Sequence, residues 1–245
     1  MAKHGDIWVS PCGAMELRCG RWQDALSGVV CESLVMDPPY SDTTHDGQCA
    51  DQKDGADRRA LSYEALSPED VSELTHRWAQ RCGWFVALSD DVLCRHYRAA
   101  LNSAGKTTFQ PLPCVIRGMT VRLSGDGPSS WAIYANVARS KKLSKWGTLP
   151  GAYSGTPDRG GHIGGKPMWL MRAIVSDYSR PGDLVCDPFA GGGTTLLAAA
   201  IEGRRAIGAE ESPETYARAV RRLSAGYTPV IRLPVGPRQK QEPLL

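Results

Sequence analysis

The 245 residues carry a net charge of +3 and are 42% hydrophobic, enough to bury one sizeable α/β core without disulfide or metal staples. No run of eighteen apolar residues occurs, which excludes a helical membrane span, and the polar start around Lys3, His4 and Asp6 argues against a secretory leader. None of the eight cysteines forms a C-x-x-C pair, so a zinc site is not expected; free thiols in a cytoplasmic protein are.

In chain order, residues 29–36 are an apolar run closed by Asp37, Pro38 and Pro39. Two prolines cannot continue a central strand, so a strand must end there. The polar stretch 41–59, with Asp42, Asp46, Asp51, Asp54 and Asp57, reads as a mobile loop. It is either a flap that closes over a ligand or an insertion with no role. Ser67-Pro68-Glu69-Asp70 starts a helix: serine at the N-cap, proline at N1, acids in the first turn. Val71, Leu74, Trp78 and Cys82 share one helical face, and Gly83 reads as its stop. Residues 84–88 follow as a buried strand, 91–104 as a helix closed by Gly105, and 112–117 and 131–138 as further strands.

From 139 to 165 periodicity gives way to Gly, Ser, Pro and basic residues. It returns with a helix at 168–178, a strand at 183–186, an Ala/Leu helix at 194–202 and a strand at 205–209. Ser212-Pro213-Glu214 opens a last helix, and the tail 228–245 is expected to be flexible. Such alternation predicts an α/β fold with a mostly parallel central sheet covered on both faces.

Two turns carry chemistry. Asp187-Pro188-Phe189-Ala190-Gly191-Gly192-Gly193-Thr194-Thr195 lies between a strand and a helix. Glycines there let the backbone approach a ligand closely, and the helix start offers free N–H groups. The next strand ends at Glu210, about the 20-residue spacing at which a carboxylate accepts from ribose hydroxyls. No lysine follows the glycines, so this is not a triphosphate loop. The second turn is Asp37-Pro38-Pro39-Tyr40. The Asp37 carboxylate and the Pro38 carbonyl form an acceptor pair that can hold both hydrogens of an exocyclic amino group. That aims the nitrogen lone pair out of the ring plane and stabilises the positive charge that develops on attack. Tyr40 offers a flat face for an extruded base, and the prolines stiffen the acceptors.

In this order the two motifs resemble the β group of amino-methylating DNA methyltransferases, in which D-P-P-Y precedes F-x-G-x-G in a circularly permuted arrangement. His162 to Pro167 resembles that family's H-x-x-x-K-P segment, with Lys166 near the cofactor, and Gly208-Ala209-Glu210 its acidic strand end. Arg21 stands where the family carries an aspartate.

The resemblance implies a Rossmann-like methyltransferase that uses S-adenosylmethionine on DNA, acting on N6 of adenine and possessing restriction-modification relatives. It implies one domain over 1–227: a catalytic half at about 1–139, a short target-recognition segment at about 140–161 and a cofactor half at about 162–227. A homodimer is a further expectation. Catalysis falls to Asp37, Pro38, Pro39 and Tyr40. Cofactor binding falls to Lys166, Asp187, Pro188, Phe189, Ala190, Gly191, Gly192, Gly193, Thr194, Thr195 and Glu210.

Arg117, Arg122, Arg139, Lys141, Lys142 and Lys145 form a basic group with Trp146 and Tyr153 interleaved. A DNA-binding patch beside the catalytic face is expected of it, chiefly from Arg139, Lys141, Lys142 and Lys145. The alternatives are N4 of cytosine, which offers an amino group to the same acceptors, and a non-catalytic cofactor- and DNA-binding module. Within the family, aspartate rather than serine at position 37 favours adenine. RNA and protein-amide enzymes usually carry asparagine there. A non-catalytic module would have a degraded catalytic turn, whereas Asp37 to Tyr40 is intact.

Overall fold

The computed structural model describes residues 2–42, 65–119, 128–143, 146–158 and 165–225. Within these lie strands β1 (Ile7–Val9), β2 (Met15–Cys19), β3 (Cys31–Met36), β4 (Cys82–Ser89), β5 (Thr107–Thr108), β6 (Leu112–Ile116), β7 (Ala132–Arg139), β8 (Tyr153–Gly155), β9 (Leu184–Asp187) and β10 (Arg205–Glu210). The helices are α1 (Trp22–Ala25), α2 (Pro68–Ala79), α3 (Asp91–Ser103), α4 (Met168–Tyr178), α5 (Thr194–Ile201) and α6 (Pro213–Ala225). No described helix is long and apolar enough to cross a membrane.

All ten strands join one sheet, in the order β1-β2-β10-β9-β3-β4-β7-β6-β8, with β5 on β7. The central five, β2, β10, β9, β3 and β4, are mutually parallel, as the strand–helix alternation predicts. Antiparallel pairing begins outside them, at β7 on one side and β1 on the other. Both faces are covered, so the central strands read as apolar runs with alternating destinations. In β3, Val35 packs with Leu170, Ile174, Leu196 and Leu223 on the face of α4, α5 and α6. Its neighbours Leu34 and Met36 pack with Val71, Leu74, Trp78 and Tyr97 on the face of α2 and α3.

The start of α2 is a capping box: Asp70 N–H donates to Ser67 Oγ at 3.1 Å and Ser67 N–H to Asp70 Oδ2 at 2.9 Å. Gly83 does not stop this helix. The helix ends at Ala79, and Gly83 is already inside β4. A Cβ at Gly83 would stand 2.6 Å from the Glu32 carbonyl oxygen, so the glycine serves close approach to β3 rather than chain reversal.

Of the expected target-recognition segment 140–161, residues 140–143 and 146–158 are described, and some of them pack on the sheet and α4. β8 lies parallel on β6, and Trp146 Nε1 and the Tyr153 hydroxyl donate to the Asp177 carbonyl and carboxylate at 2.7 and 2.8 Å. The loop 43–59, the segment 120–127 and the tail 226–245 lie outside the described residues.

Candidate active site

From β3 the chain winds through α2 to β4 in one direction along the sheet; from β9 it winds through α5 to β10 in the other. β3 and β9 are neighbours, with Leu34 opposite Cys186. A crevice therefore opens above their carboxyl ends, the position where open α/β sheets bind ligands. Asp37 leaves the end of β3 and Asp187 closes β9, so the two motif turns stand on adjacent strands, about 4.8 Å apart in a sheet.

In the first turn Pro38 is buried, while Asp37, Pro39 and Tyr40 are half-buried. Both Asp37 oxygens are engaged. The Tyr40 hydroxyl donates to Oδ1 at 3.1 Å, and the Lys166 ammonium donates to Oδ2 at 2.7 Å. That ammonium also lies 4.9 Å from the centroid of the Tyr40 ring. Burial, with the adjacent Asp37 charge, pushes the Tyr40 phenol well above its ordinary range, which keeps it a proton donor to Asp37.

The second turn is shaped by its glycines. Gly191 and Gly193 take φ of +49° and +77°, and Gly193 is the N-cap of α5. Ala190 N–H donates to the Ala209 carbonyl at 2.9 Å, joining the ends of β9 and β10. The Glu210 carboxylate accepts from Gly191 N–H at 3.0 Å and Ser212 N–H at 2.8 Å. A carboxylate offers about four acceptor sites, so two remain for ligand hydroxyls. Arg222 braces the turn from α6, donating to the Gly192 carbonyl at 2.7 Å and to Thr194 Oγ1 at 2.8 Å. Gly208 is crowded as well: a Cβ there would meet Leu196 at 2.9 Å and Ala190 at 3.0 Å.

Asp187 is fully buried, and burial raises its carboxyl to about 7. Donation from the Thr195 hydroxyl and Phe189 N–H works against that rise, and the charges of Asp37 and Glu210 add to it. Phe189 packs against Trp22 with ring centroids 6.5 Å apart, and Pro188, Ala190 and Thr195 are buried beneath the turn.

One positioning residue escaped the motif reading. Asp90 caps α3, accepting from Leu93 N–H at 3.1 Å on Oδ1. Its other oxygen accepts from Ser41 N–H at 3.0 Å and Ser41 Oγ at 2.5 Å, so it ties down the residue after Tyr40. The sequence signal was present as an N-cap aspartate directly after a strand, but its long-range partner was not legible.

The basic group does not gather beside the Asp37 turn. β7 runs antiparallel to β4, with Tyr134 opposite Ser89 and Arg139 opposite Trp84. Arg139, Lys141 and Lys142 therefore sit at the amino-terminal end of β4, across the sheet from Asp37. Lys145 lies outside the described residues. Arg117 is different: it is exposed just beyond the end of β6, which reaches the same edge as Asp37. Arg21 is exposed at the end of β2, 3.8 Å from Glu211.

A family described as DNA methylase, of the N6 and N4 type, matches residues 52–221, more than half of the chain and beginning after the Asp37 turn. The DNA adenine methyltransferase YhdJ of Escherichia coli K12 is 45% identical over 58 residues, 24% of this chain and 20% of that protein. The chain thus aligns with about a fifth of the length of such curated relatives. Two solved structures share the fold. The M1.HpyAVI–SAM complex is 20% identical with a TM-score of 0.62, over 85% of this chain and 99% of that one. The cytosine-N4-specific PvuII DNA methyltransferase is 14% identical with a TM-score of 0.60, over 91% and 98%.

Proposed function

The chain belongs to the DNA methylase family, and on that premise we propose that it transfers a methyl group from S-adenosylmethionine to N6 of a flipped adenine in DNA. The observation that carries this reading is the placement of the Asp37 and Gly191 turns on the two strands that flank the switch point. The site suits the cofactor chemically. Glu210 keeps free acceptor sites for ribose hydroxyls, the glycine turn exposes backbone, and buried Asp187 would gain from a cationic neighbour. M1.HpyAVI, of the same fold, was solved with this molecule. When bound it supplies an activated methyl group.

The protein's own residues then hold and polarise the acceptor base. Asp37 and the Pro38 carbonyl accept the two amino hydrogens. The carboxylate stabilises the positive charge that develops on nitrogen more than it stabilises the ground state. Tyr40 gives the base an aromatic face and, through its hydroxyl, fixes the Asp37 carboxylate. The target atom inside a duplex is out of reach of this crevice, so the base has to leave the stack, at a cost of about a few kcal/mol. DNA approaches along the carboxyl edge, where Arg117 stands.

Aspartate at position 37 supports adenine, and the likeness to YhdJ points the same way. N4 of cytosine is the second reading, favoured by the likeness to the PvuII enzyme. Incubation with labelled cofactor and DNA, followed by nucleoside digestion and mass analysis, separates the two. N6-methyladenine is expected. Asp37→Ala should abolish transfer while cofactor affinity stays near that of the wild type. N4-methylcytosine would overturn the base assignment, and retained activity in Asp37→Ala would overturn the mechanism.

A further inference from the structure

We infer that Lys166 is an internal occupant of the target-base position, and that its ammonium has to leave Asp37 before an amino group can be held there. The inference rests on the reading of Asp37 as the amino acceptor. The two contacts assigned to the base are a hydrogen bond to Asp37 and an aromatic face on Tyr40. The Lys166 ammonium makes both, at 2.7 Å from Asp37 Oδ2 and 4.9 Å from the Tyr40 ring centroid. The Tyr40 hydroxyl takes the other Asp37 oxygen, so each carboxylate oxygen already accepts a hydrogen bond. The pair is shielded, its side chains only 14% and 22% exposed, and water screens it poorly.

Charge decides between a placeholder and a permanent brace. The attacking amino nitrogen becomes positive, and the methyl donor is itself a cation. An ammonium kept on the same carboxylate would repel both and weaken the stabilisation that Asp37 exists to supply. A brace of that sign works against the reaction; an occupant that leaves does not. The next residue, Pro167, is the buried N-cap of α4 and anchors the backbone, so departure is a side-chain movement along a flexible four-carbon stem.

The test is steady-state kinetics on genomic DNA at saturating cofactor, for the wild type, Lys166→Met and Lys166→Arg, each checked by thermal melting. Methionine keeps a long stem without the charge. kcat/KM for DNA is expected to rise by about fivefold, the scale of one partly exposed ion pair, chiefly through a lower KM. Arginine can fork onto both Asp37 oxygens and should lower kcat/KM by a similar factor. Opposite signs for the two variants support the inference. A fall in kcat in both marks Lys166 as a brace and overturns it. Should methionine prevent folding, the arginine variant decides alone: kcat/KM at or above the wild-type value overturns the inference. A wild-type protein with no transfer to DNA defeats the functional reading itself, an outcome distinct from either.

Discussion

Asp90 offers the strongest stability test, because one side chain joins the Asp37 turn to the start of a helix. It is 7% exposed, and its carboxylate accepts from Ser41 N–H at 3.0 Å, Ser41 Oγ at 2.5 Å and Leu93 N–H at 3.1 Å. Asp90→Ala strands these donors, two of them on buried Ser41. An unsatisfied buried donor costs about 1–3 kcal/mol and a lost N-cap about 1 kcal/mol. The hydroxyl can rotate toward another acceptor, so a net loss of about 3–5 kcal/mol is expected. At roughly 2–4 °C per kcal/mol for a chain of this size, the melting temperature should fall by about 6 °C or more. Asp90→Asn keeps one acceptor oxygen and should lose about 1–2 kcal/mol. Urea titration and calorimetry of both variants measure this. In the asparagine variant kcat should fall by roughly tenfold to a hundredfold, because one acceptor oxygen cannot serve both Ser41 and Leu93 and Ser41 is held less firmly, while cofactor affinity holds. An alanine variant within about 1 kcal/mol of the wild type would refute the reasoning.

Asp187 gives a pH dependence whose sign is fixed. Burial raises its carboxyl from an ordinary 3.8 to about 7, so between those values the folded state holds more proton than the unfolded one. Stability therefore falls as pH rises through that window, by at most about 1.4 kcal/mol per pH unit, and levels off above it. Asp187→Asn removes this contribution. Urea midpoints at pH 5, 6, 7 and 8 should show the wild type losing ground to the variant up to pH 7; a wild type that gains ground would contradict the burial argument. On DNA, Arg117→Glu should weaken binding and flatten its salt dependence, whereas Lys141→Glu with Lys142→Glu should do neither. Fluorescence anisotropy between 50 and 200 mM salt reads both, and the reverse pattern would show that DNA does not follow the carboxyl edge.

Why some of this was legible in the sequence and some was not follows from the range of each interaction. Helix starts are local, so Ser67 with Asp70 and Ser212 with Pro213 announced α2 and α6 within a residue or so. The two motif turns were legible because prolines and glycines restrict the backbone wherever they stand. β2 escaped notice although Met15, Leu17 and Cys19 alternate inward in a regular period of two. It is only five residues long, too short for its alternation to stand out although Gly13 and Gly20 flank it. Gly83 was misread because a glycine that ends a helix and one that lets two strands touch look identical without the neighbour, here the Glu32 carbonyl. The place of the basic residues in the fold is illegible for the same reason at larger scale. Charge clustering is visible in sequence, but the end of the sheet at which it lands depends on whether β7 runs with β4 or against it. The Asp90–Ser41 and Lys166–Asp37 pairs span 49 and 129 residues, beyond any local pattern.

The charges along the carboxyl edge form one electrostatic argument. Asp37 follows the end of β3, and the adjacent β9 and β10 end in Asp187 and Glu210, so three carboxylates stand at the carboxyl edge of neighbouring strands. Burial raises both Asp187 and Glu210, and at Asp187 the charges of the other two add to the rise. A site built only for stability would not collect like charges beneath a crevice, since each desolvated carboxylate weakens the folded state at neutral pH. The arrangement makes sense if a cation completes it. Lys166 partly does so in the structure described, on Asp37 alone. A sulfonium cofactor and an amino nitrogen turning positive would bring positive charge to the rest of the edge. The same unfavourable clustering that costs stability in the protein alone would, on the proposed reading, favour the charged state of the reaction, and the sheet topology holds that clustering in place.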